Sequence, residues 1–186
     1  MKRLLQFTLP IVLTALLLLC FPQSSGAKFE SNSSRTPKVG LRVGNQAPDF
    51  ELPMPDGTML SLSSLRGKIV LIDFWASWCK GCRNKKGTIA VYNRYKDEKF
   101  VNANGFTVLS VSLDREKEPW LKAIKDDGLI WENHVCDFKV FKTNTSKLYN
   151  LGGVPRKWLV DENGIIIARD LSSSELKVIL DKRLKE

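Results

Sequence analysis

The chain has 186 residues, enough for one ordinary domain once its ends are discounted. Its formal charge is +9, but the bases are scattered (Lys80, Arg83, Lys85, Lys86, then Lys122, Lys125, Lys139 and Lys142) rather than clustered with interleaved aromatics, which argues against nucleic acid as a partner. Of four cysteines, one lies in an N-terminal apolar run, leaving Cys79, Cys82 and Cys136, an odd set that argues against a disulfide scaffold.

The N-terminus reads as a targeting segment. Lys2 and Arg3 precede an apolar stretch from Leu4 to Phe21, broken only by Gln6, Thr8, Pro10 and Thr14. Ser25-Gly26-Ala27 then supplies the small residues a signal peptidase reads, so residues 1–27 are expected to be a signal peptide cut before Lys28. The apolar run approaches spanning length, and a retained single-pass anchor is the competing reading. Leu17-Leu18-Leu19-Cys20 superficially resembles a lipidation signal, although Leu19 stands where a small residue is wanted. Removal of residues 1–27 takes away Lys2 and Arg3 and lowers the charge from +9 to +7. Residues 28–40 begin rich in Ser, Asn, Lys and Pro, lack periodicity and read as a flexible tether. The patterned domain occupies residues 41–186, and the expected location is periplasmic or otherwise extracytoplasmic, with a membrane contact only through an uncleaved or lipidated N-terminus.

Within the domain, residues 49–52 and 58–62 flank Pro55-Asp56-Gly57, a turn signal, and are expected to pair as a β-hairpin. Arg66-Gly67-Lys68 turns the chain into Lys68-Ile69-Val70-Leu71-Ile72-Asp73-Phe74-Trp75, a nearly unbroken apolar run interrupted by one acid that reads as a buried strand. A helix is expected from Cys82 to about Phe100, weakened by Gly87. Residues 106–113 form a second strong strand. Residues 118–127 form a helix with Trp120, Leu121 and Ile124 on one face and Gly128 as its stop. A short helix over 145–151 follows, then strands 156–160 and 165–168 around Asp161-Glu162-Asn163-Gly164, and a terminal helix over 172–184. This order describes an α/β fold with a mixed sheet.

Between the first strong strand and its helix lies Trp78-Cys79-Lys80-Gly81-Cys82. Two cysteines separated by two residues can close into a disulfide or open to thiols at modest free-energy cost. A strand running into this motif places Cys79 at a helix N-terminus, where unpaired N–H groups and the helix dipole favour the thiolate. The thiolate is the nucleophile of thiol–disulfide exchange.

The segment Leu71-Ile72-Asp73-Phe74-Trp75-Ala76-Ser77-Trp78-Cys79-Lys80-Gly81-Cys82 resembles the active-site segment of thioredoxin-fold proteins. Val43-Gly44-Asn45-Gln46-Ala47-Pro48-Asp49-Phe50 and the hairpin after it resemble the added N-terminal unit of the exported TlpA/ResA-like branch. Gly153-Val154-Pro155 stands where that family places a cis-proline facing the active site, and Arg156 to Asp161 with Asn163-Gly164 resembles its closing hairpin. The resemblance spans residues 41–184. It implies a thioredoxin-like fold, a central mixed sheet flanked by helices with an added N-terminal β-hairpin, and an exported thiol–disulfide oxidoreductase that reduces disulfides of exported proteins. Cys79 is then the attacking cysteine, Cys82 the resolving one, and Asp73 the buried acid that exchanges protons with Cys82. A carboxyl inside an apolar strand has a raised pKa and can relay a proton at neutral pH. Trp78, Val154 and Pro155 are expected to face the substrate chain. No cofactor beyond the Cys79–Cys82 pair and no metal is implied. The expected partners are disulfide- or thiol-containing exported proteins, cytochrome apoproteins among the options, and an upstream membrane electron donor, with the protein itself a monomer.

The sequence also departs from the family. Lys85 and Gly87 occupy positions where many exported relatives carry an acid and a helix-kinking proline, and Lys80-Gly81 replaces the Gly-Pro of thioredoxin. Lys80 and Gly81 are therefore expected to tune the redox poise, with Lys80, helped by nearby Arg83, stabilising the Cys79 thiolate and making the disulfide a stronger oxidant. Competing readings are a zinc site from Cys79, Cys82, His134 and Cys136, copper delivery, and a redox-inert or metal-handling binding module on the same scaffold. Peroxidase chemistry is disfavoured because no Pro-x-x-x-Thr-x-x-Cys arrangement surrounds Cys79. His134 is expected to be a surface or partly packed residue near Trp131, and Cys136 a small apolar filler.

Overall fold

The computed structural model describes residues 36–185, so the expected signal peptide, residues 1–27, and most of the expected tether, residues 28–40, lie outside the described residues. Backbone pairing begins ahead of the expected boundary at residue 41: the Gln46 N–H donates to the Lys38 carbonyl at 3.0 Å and Val39 bridges to Gln46.

Strands β1 (Glu51–Pro53) and β2 (Met59–Ser61) form a separate antiparallel pair. The turn between them is fixed by Asp56, whose carboxylate accepts the Thr58 N–H at 2.9 Å and the Thr58 hydroxyl at 2.6 Å. The main sheet contains β3 (Ile69–Trp75), β4 (Phe106–Ser112), β5 (His134–Val135), β6 (Arg156–Val160) and β7 (Ile166–Arg169), in the order β5-β4-β3-β6-β7. β4 runs parallel to β3 and β5, while β6 runs antiparallel to β3 and β7, giving the expected mixed sheet.

Every residue of β3 is buried because helices cover one sheet face and the hairpin unit covers the other. Its alternation distributes the side chains. Ile69, Leu71 and Trp75 pack with Val91 and Tyr95 of α2 (Lys86–Tyr95), Trp120 and Ala123 of α3 (Lys117–Asp126), and Leu176 and Leu180 of α5 (Ser173–Asp181). Val70, Ile72 and Phe74 pack with Phe50, Leu52 and Leu62, and with Tyr149 after α4 (Asn144–Leu148). A side chain of this size contributes about 1.5–3 kcal/mol when fully buried, so the central strand anchors both halves of the core.

The helix expected from Cys82 to about Phe100 is two helices. α1 (Lys80–Arg83) ends at Asn84, whose φ of −78° and ψ of 81° make an inverse γ-turn, with the Lys85 N–H donating to the Arg83 carbonyl at 2.9 Å. The break arises without a proline and turns Lys85 inward. α2 then stops at Tyr95, and Phe100 bridges instead to Leu184. Gly87, read from sequence as a weak point, has a packing reason: a Cβ there would lie 2.4 Å from Ser173 Oγ, where the start of α5 crosses α2. On α3, Leu121 is exposed, while Trp120 and Ala123 face the core. β5 escaped the sequence reading because two residues show no periodicity.

His134 is also placed differently from the expectation. It is buried on β5 and stacked on Trp131, with ring centroids 5.8 Å apart. Burial disfavours the imidazolium and pulls its pKa from 6.5 to about 4. The neutral ring is therefore kept in the folded state while the unfolded chain protonates. The stability lost as pH falls from 6.5 to about 4 is about 3 kcal/mol from this group alone, and the loss levels off below the folded pKa. Urea unfolding of wild type and His134→Phe at neutral and acid pH checks this. The variant is expected to lose less stability on acidification by about that amount, and equal acid slopes would contradict the assignment.

Candidate active site

The site forms at the carboxyl end of β3. β4 is parallel to β3, so the carboxyl ends of both strands reach the same edge of the sheet, and the Leu113 N–H donates to the Trp75 carbonyl at 2.9 Å. Just beyond, the buried Asp114 carboxylate accepts the Ser77 N–H at 3.1 Å, the Ser77 hydroxyl at 2.6 Å and the Ser112 hydroxyl at 2.5 Å. Asp114 thus fastens the loop that presents the cysteines. Sequence reading missed it. The available signal was an acid immediately past the end of an apolar strand, which alone does not reveal that the neighbouring strand is parallel.

Cys79 and Cys82 are joined as a disulfide with Cα atoms 5.2 Å apart. Cys79 is partly exposed and caps α1, and Cys82 is buried beneath it. The Cys82 N–H points at Cys79 Sγ at 3.2 Å and donates to the Cys79 carbonyl at 2.9 Å. A donor held against Sγ stabilises negative charge on that sulfur once the pair is reduced. Across the site, Cys79 Sγ lies 3.7 Å from the Val154 carbonyl oxygen, and the Val154–Pro155 peptide bond is cis. Val154 is half-buried, Pro155 exposed, and Trp78 is 55% exposed. Trp78 and Ser77 open onto a groove of about 510 Å³ whose other walls include Pro119, Val140 and Phe141. The structure therefore sets Cys79 between the exposed Trp78 and the Val154–Pro155 bond, with Cys82 buried beneath it.

Lys80 and Gly81 are exposed beside Cys79. Arg83 is not available to the thiolate in the way the sequence suggested. Its Nε donates to Asp127 Oδ2, its Nη2 donates to Asp127 Oδ1 at 2.7 Å, and its Nη1 donates to the Ser77 carbonyl at 3.2 Å. That pairing neutralises the guanidinium and ties α1 to the residue following α3.

Asp73 is fully buried within β3 and does not stand alone. Lys85, only 3% exposed, donates through Nζ to Asp73 Oδ2, and its Nζ lies 5.6 Å from the centroid of the Trp75 ring. Burial pushes the Lys85 ammonium below its usual range, against the opposing pull of Asp73. Sequence reading recorded Lys85 as a departure from a family pattern and did not join it to Asp73.

Cys136 is buried against Asp114 and Phe138, and desolvation raises its thiol pKa to about 11, which leaves it unreactive at neutral pH. Among the described residues, no group of three or more His, Cys, Asp or Glu side chains could hold a metal ion.

The chain is similar to known proteins. The model of the AhpC/TSA family matches residues 43–169. The thioredoxin-like protein YneN of Bacillus subtilis is 33% identical over 130 residues, 69% of this chain and 71% of that one. The thiol–disulfide oxidoreductase ResA of Geobacillus kaustophilus is 33% identical over 130 residues, 69% of each chain. Among solved structures, the thioredoxin domain of a thiol–disulfide oxidoreductase of Bacteroides vulgatus superposes with a TM-score of 0.67 at 35% identity, covering 77% of this chain and 98% of that one. With a partly exposed cysteine bonded to a buried one at the end of the central strand, and with these relatives, the chain belongs to the AhpC/TSA family as a ResA/TlpA-like, thioredoxin-fold thiol–disulfide oxidoreductase.

Proposed function

We propose that the protein is exported and works as a disulfide reductase on exported proteins. The Cys79 thiolate attacks a substrate disulfide, a mixed disulfide forms on Cys79, and Cys82 attacks Cys79 Sγ to release the reduced substrate. The observation that carries this reading is the asymmetry of the pair: Cys79 is partly exposed beside the cis Val154–Pro155 bond, and Cys82 is buried behind it. Only the exposed sulfur can be reached by a protein disulfide, and only the buried one is positioned to attack its neighbour without leaving the fold.

In this reading Trp78 and Val154-Pro155 flank the substrate strand, the Val154 carbonyl and the apolar groove by Phe141 supply its contacts, and Asp73 handles the Cys82 proton. Lys80 stabilises the Cys79 thiolate and, with Gly81, sets the redox poise. The Cys79–Cys82 pair is the whole redox equipment, without metal or organic cofactor. Electrons come from a membrane donor outside the cytoplasm, and the protein acts as a monomer. The positively charged n-region and apolar run at the N-terminus support export.

Trapping tests this reading. Cys82→Ser, expressed in the full chain with its own N-terminus, is expected to accumulate mixed disulfides with extracytoplasmic proteins that dissolve on adding dithiothreitol. Cys79→Ser should trap none. Adducts confined to cytoplasmic proteins, or equal trapping by both variants, would overturn it.

A further inference from the structure

The Lys85–Asp73 pair has features that a packing role alone does not explain. A lysine 3% exposed and a carboxylate with no exposure are joined in the interior, where replacement by apolar residues is often neutral or stabilising. The backbone is shaped around the pair: the inverse γ-turn at Asn84 interrupts the helix and directs Lys85, three residues past Cys82, toward the strand. Trp75, over which the ammonium lies, packs in the same cluster as Cys82. The carboxylate is only half used. Lys85 holds Oδ2, while Oδ1 is buried with no hydrogen-bond partner among the described residues. A buried acceptor left open in this way is rare enough to need a reason.

We propose that Lys85 is a positioning residue for the resolving step, holding Asp73 as an oriented carboxylate whose free Oδ1 accepts the proton of Cys82. This rests on the reading of Cys82 as the resolving cysteine. The Cys82 S–H bond breaks and its proton passes to Asp73 Oδ1. The Cys82 thiolate attacks Cys79 Sγ, the Cys79–Cys82 bond forms, and the bond from Cys79 to the substrate sulfur breaks. The substrate sulfur leaves as a thiolate and is protonated by water or by Asp73. The cysteine pair is oxidised by two electrons and the substrate disulfide is reduced by two.

The ammonium supplies what the site otherwise lacks. An ammonium bonded to Oδ2 holds the carboxyl group in one orientation and favours its charged form, the form that can accept a proton from Cys82. Lys157 of β6, in register with Asp73, Asp127 after α3, and His134 on β5 are the other titratable groups whose fields meet the pair. His134 is neutral in the folded state at physiological pH, and Asp127 is engaged by Arg83. Lys85 is the cation bonded directly to Asp73.

A chromogenic aromatic disulfide separates the two chemical steps, because attack by Cys79 releases one coloured thiolate and resolution by Cys82 releases the second. Stopped-flow traces of the reduced full chain are compared from about pH 5 to about pH 9, a range that brackets the operating pH of general-base catalysis. Lys85→Met is expected to leave the first release unchanged and slow the second by about tenfold to a hundredfold at neutral pH. The deficit should shrink as pH rises. Asp73→Asn should slow the second release at every pH, and Asp73→Asn/Lys85→Met should be no slower than Asp73→Asn. A purely structural lysine would not move the pH profile. A Lys85→Met second phase with the wild-type profile, or a double variant slower than Asp73→Asn, would overturn the proposal. If Lys85→Met does not fold, the comparison of Asp73→Asn with the double variant decides alone. A wild-type protein with no second release would instead overturn the role of Cys82, a different failure.

Discussion

Serine at Cys79 or Cys82 is expected to abolish turnover in a dithiothreitol-driven insulin reduction assay, leaving the rate of dithiothreitol alone. The two losses have different causes. Without Cys79 no partly exposed cysteine remains among the described residues, since Cys82 is buried and Cys136 is buried with its thiol pKa raised to about 11. Without Cys82 the first attack still occurs, but the adduct must wait for bulk thiol. A cysteine fixed beside its target reacts with an effective concentration far above that of a millimolar reductant, reaching about 10⁵ M or more in well-oriented systems. The turnover loss for Cys82→Ser is therefore about a hundredfold at least. Mass spectrometry separates the cases, with the Cys82→Ser protein carrying substrate and the Cys79→Ser protein carrying none. Insulin reduction by wild type no faster than by either variant would favour a redox-inert binding module on the same scaffold.

The second large effect concerns stability. Asp73→Leu leaves the Lys85 ammonium buried without its counter-charge and is expected to destabilise the fold by about 3–5 kcal/mol. For a domain of this size that lowers Tm by on the order of 10 °C. Adding Lys85→Met to Asp73→Leu should recover most of the loss, because the paired charges are then replaced together by apolar groups of similar reach. The pH dependence has a definite sign. Burial already places the folded-state pKa of Lys85 below its unfolded value, and removing Asp73 takes away the largest of the influences that oppose this. The unfolded chain then binds the proton more tightly than the folded one, so the deficit of Asp73→Leu shrinks as pH rises toward the unfolded lysine pKa of about 10.4. Thermal melts of the single and double variants at neutral and alkaline pH measure both effects. A double variant as unstable as Asp73→Leu would show that the loss is one of shape rather than of unpaired charge.

The legible parts of the fold were those in which several residues repeat one message. β3 and β4 are long apolar runs, and their assignment from sequence holds at either end to within a residue or so. The hairpin was announced by Pro55-Asp56-Gly57, and Asp56 does fix the turn. The terminal helix begins where Ser172 and Glu175 form a capping box. What sequence could not supply were contacts between distant segments. Gly87 reads locally as a helix weakener, and only the crossing of α5 shows that no larger residue fits beside Ser173. Arg83 reads as a charge near Cys79, and only the docking of α1 against the end of α3 assigns it to Asp127. His134 reads as a surface or partly packed residue near Trp131 until β5 is added to the sheet edge beside β4 and buries it.

The same division runs through the active site. Sequence by itself determined the dithiol and its setting after a buried strand, and the resemblance of its motifs to thioredoxin-fold proteins implied the family and the proline whose peptide bond is cis, because these features lie in short contiguous blocks. Tertiary structure alone decided which charges meet. Asp73 and Lys85 are separated by the turn, the cysteines and α1, and no periodicity links them. They pair because the γ-turn at Asn84 swings one toward the other, and because two charges removed from water must find each other or raise the free energy of the fold by several kcal/mol.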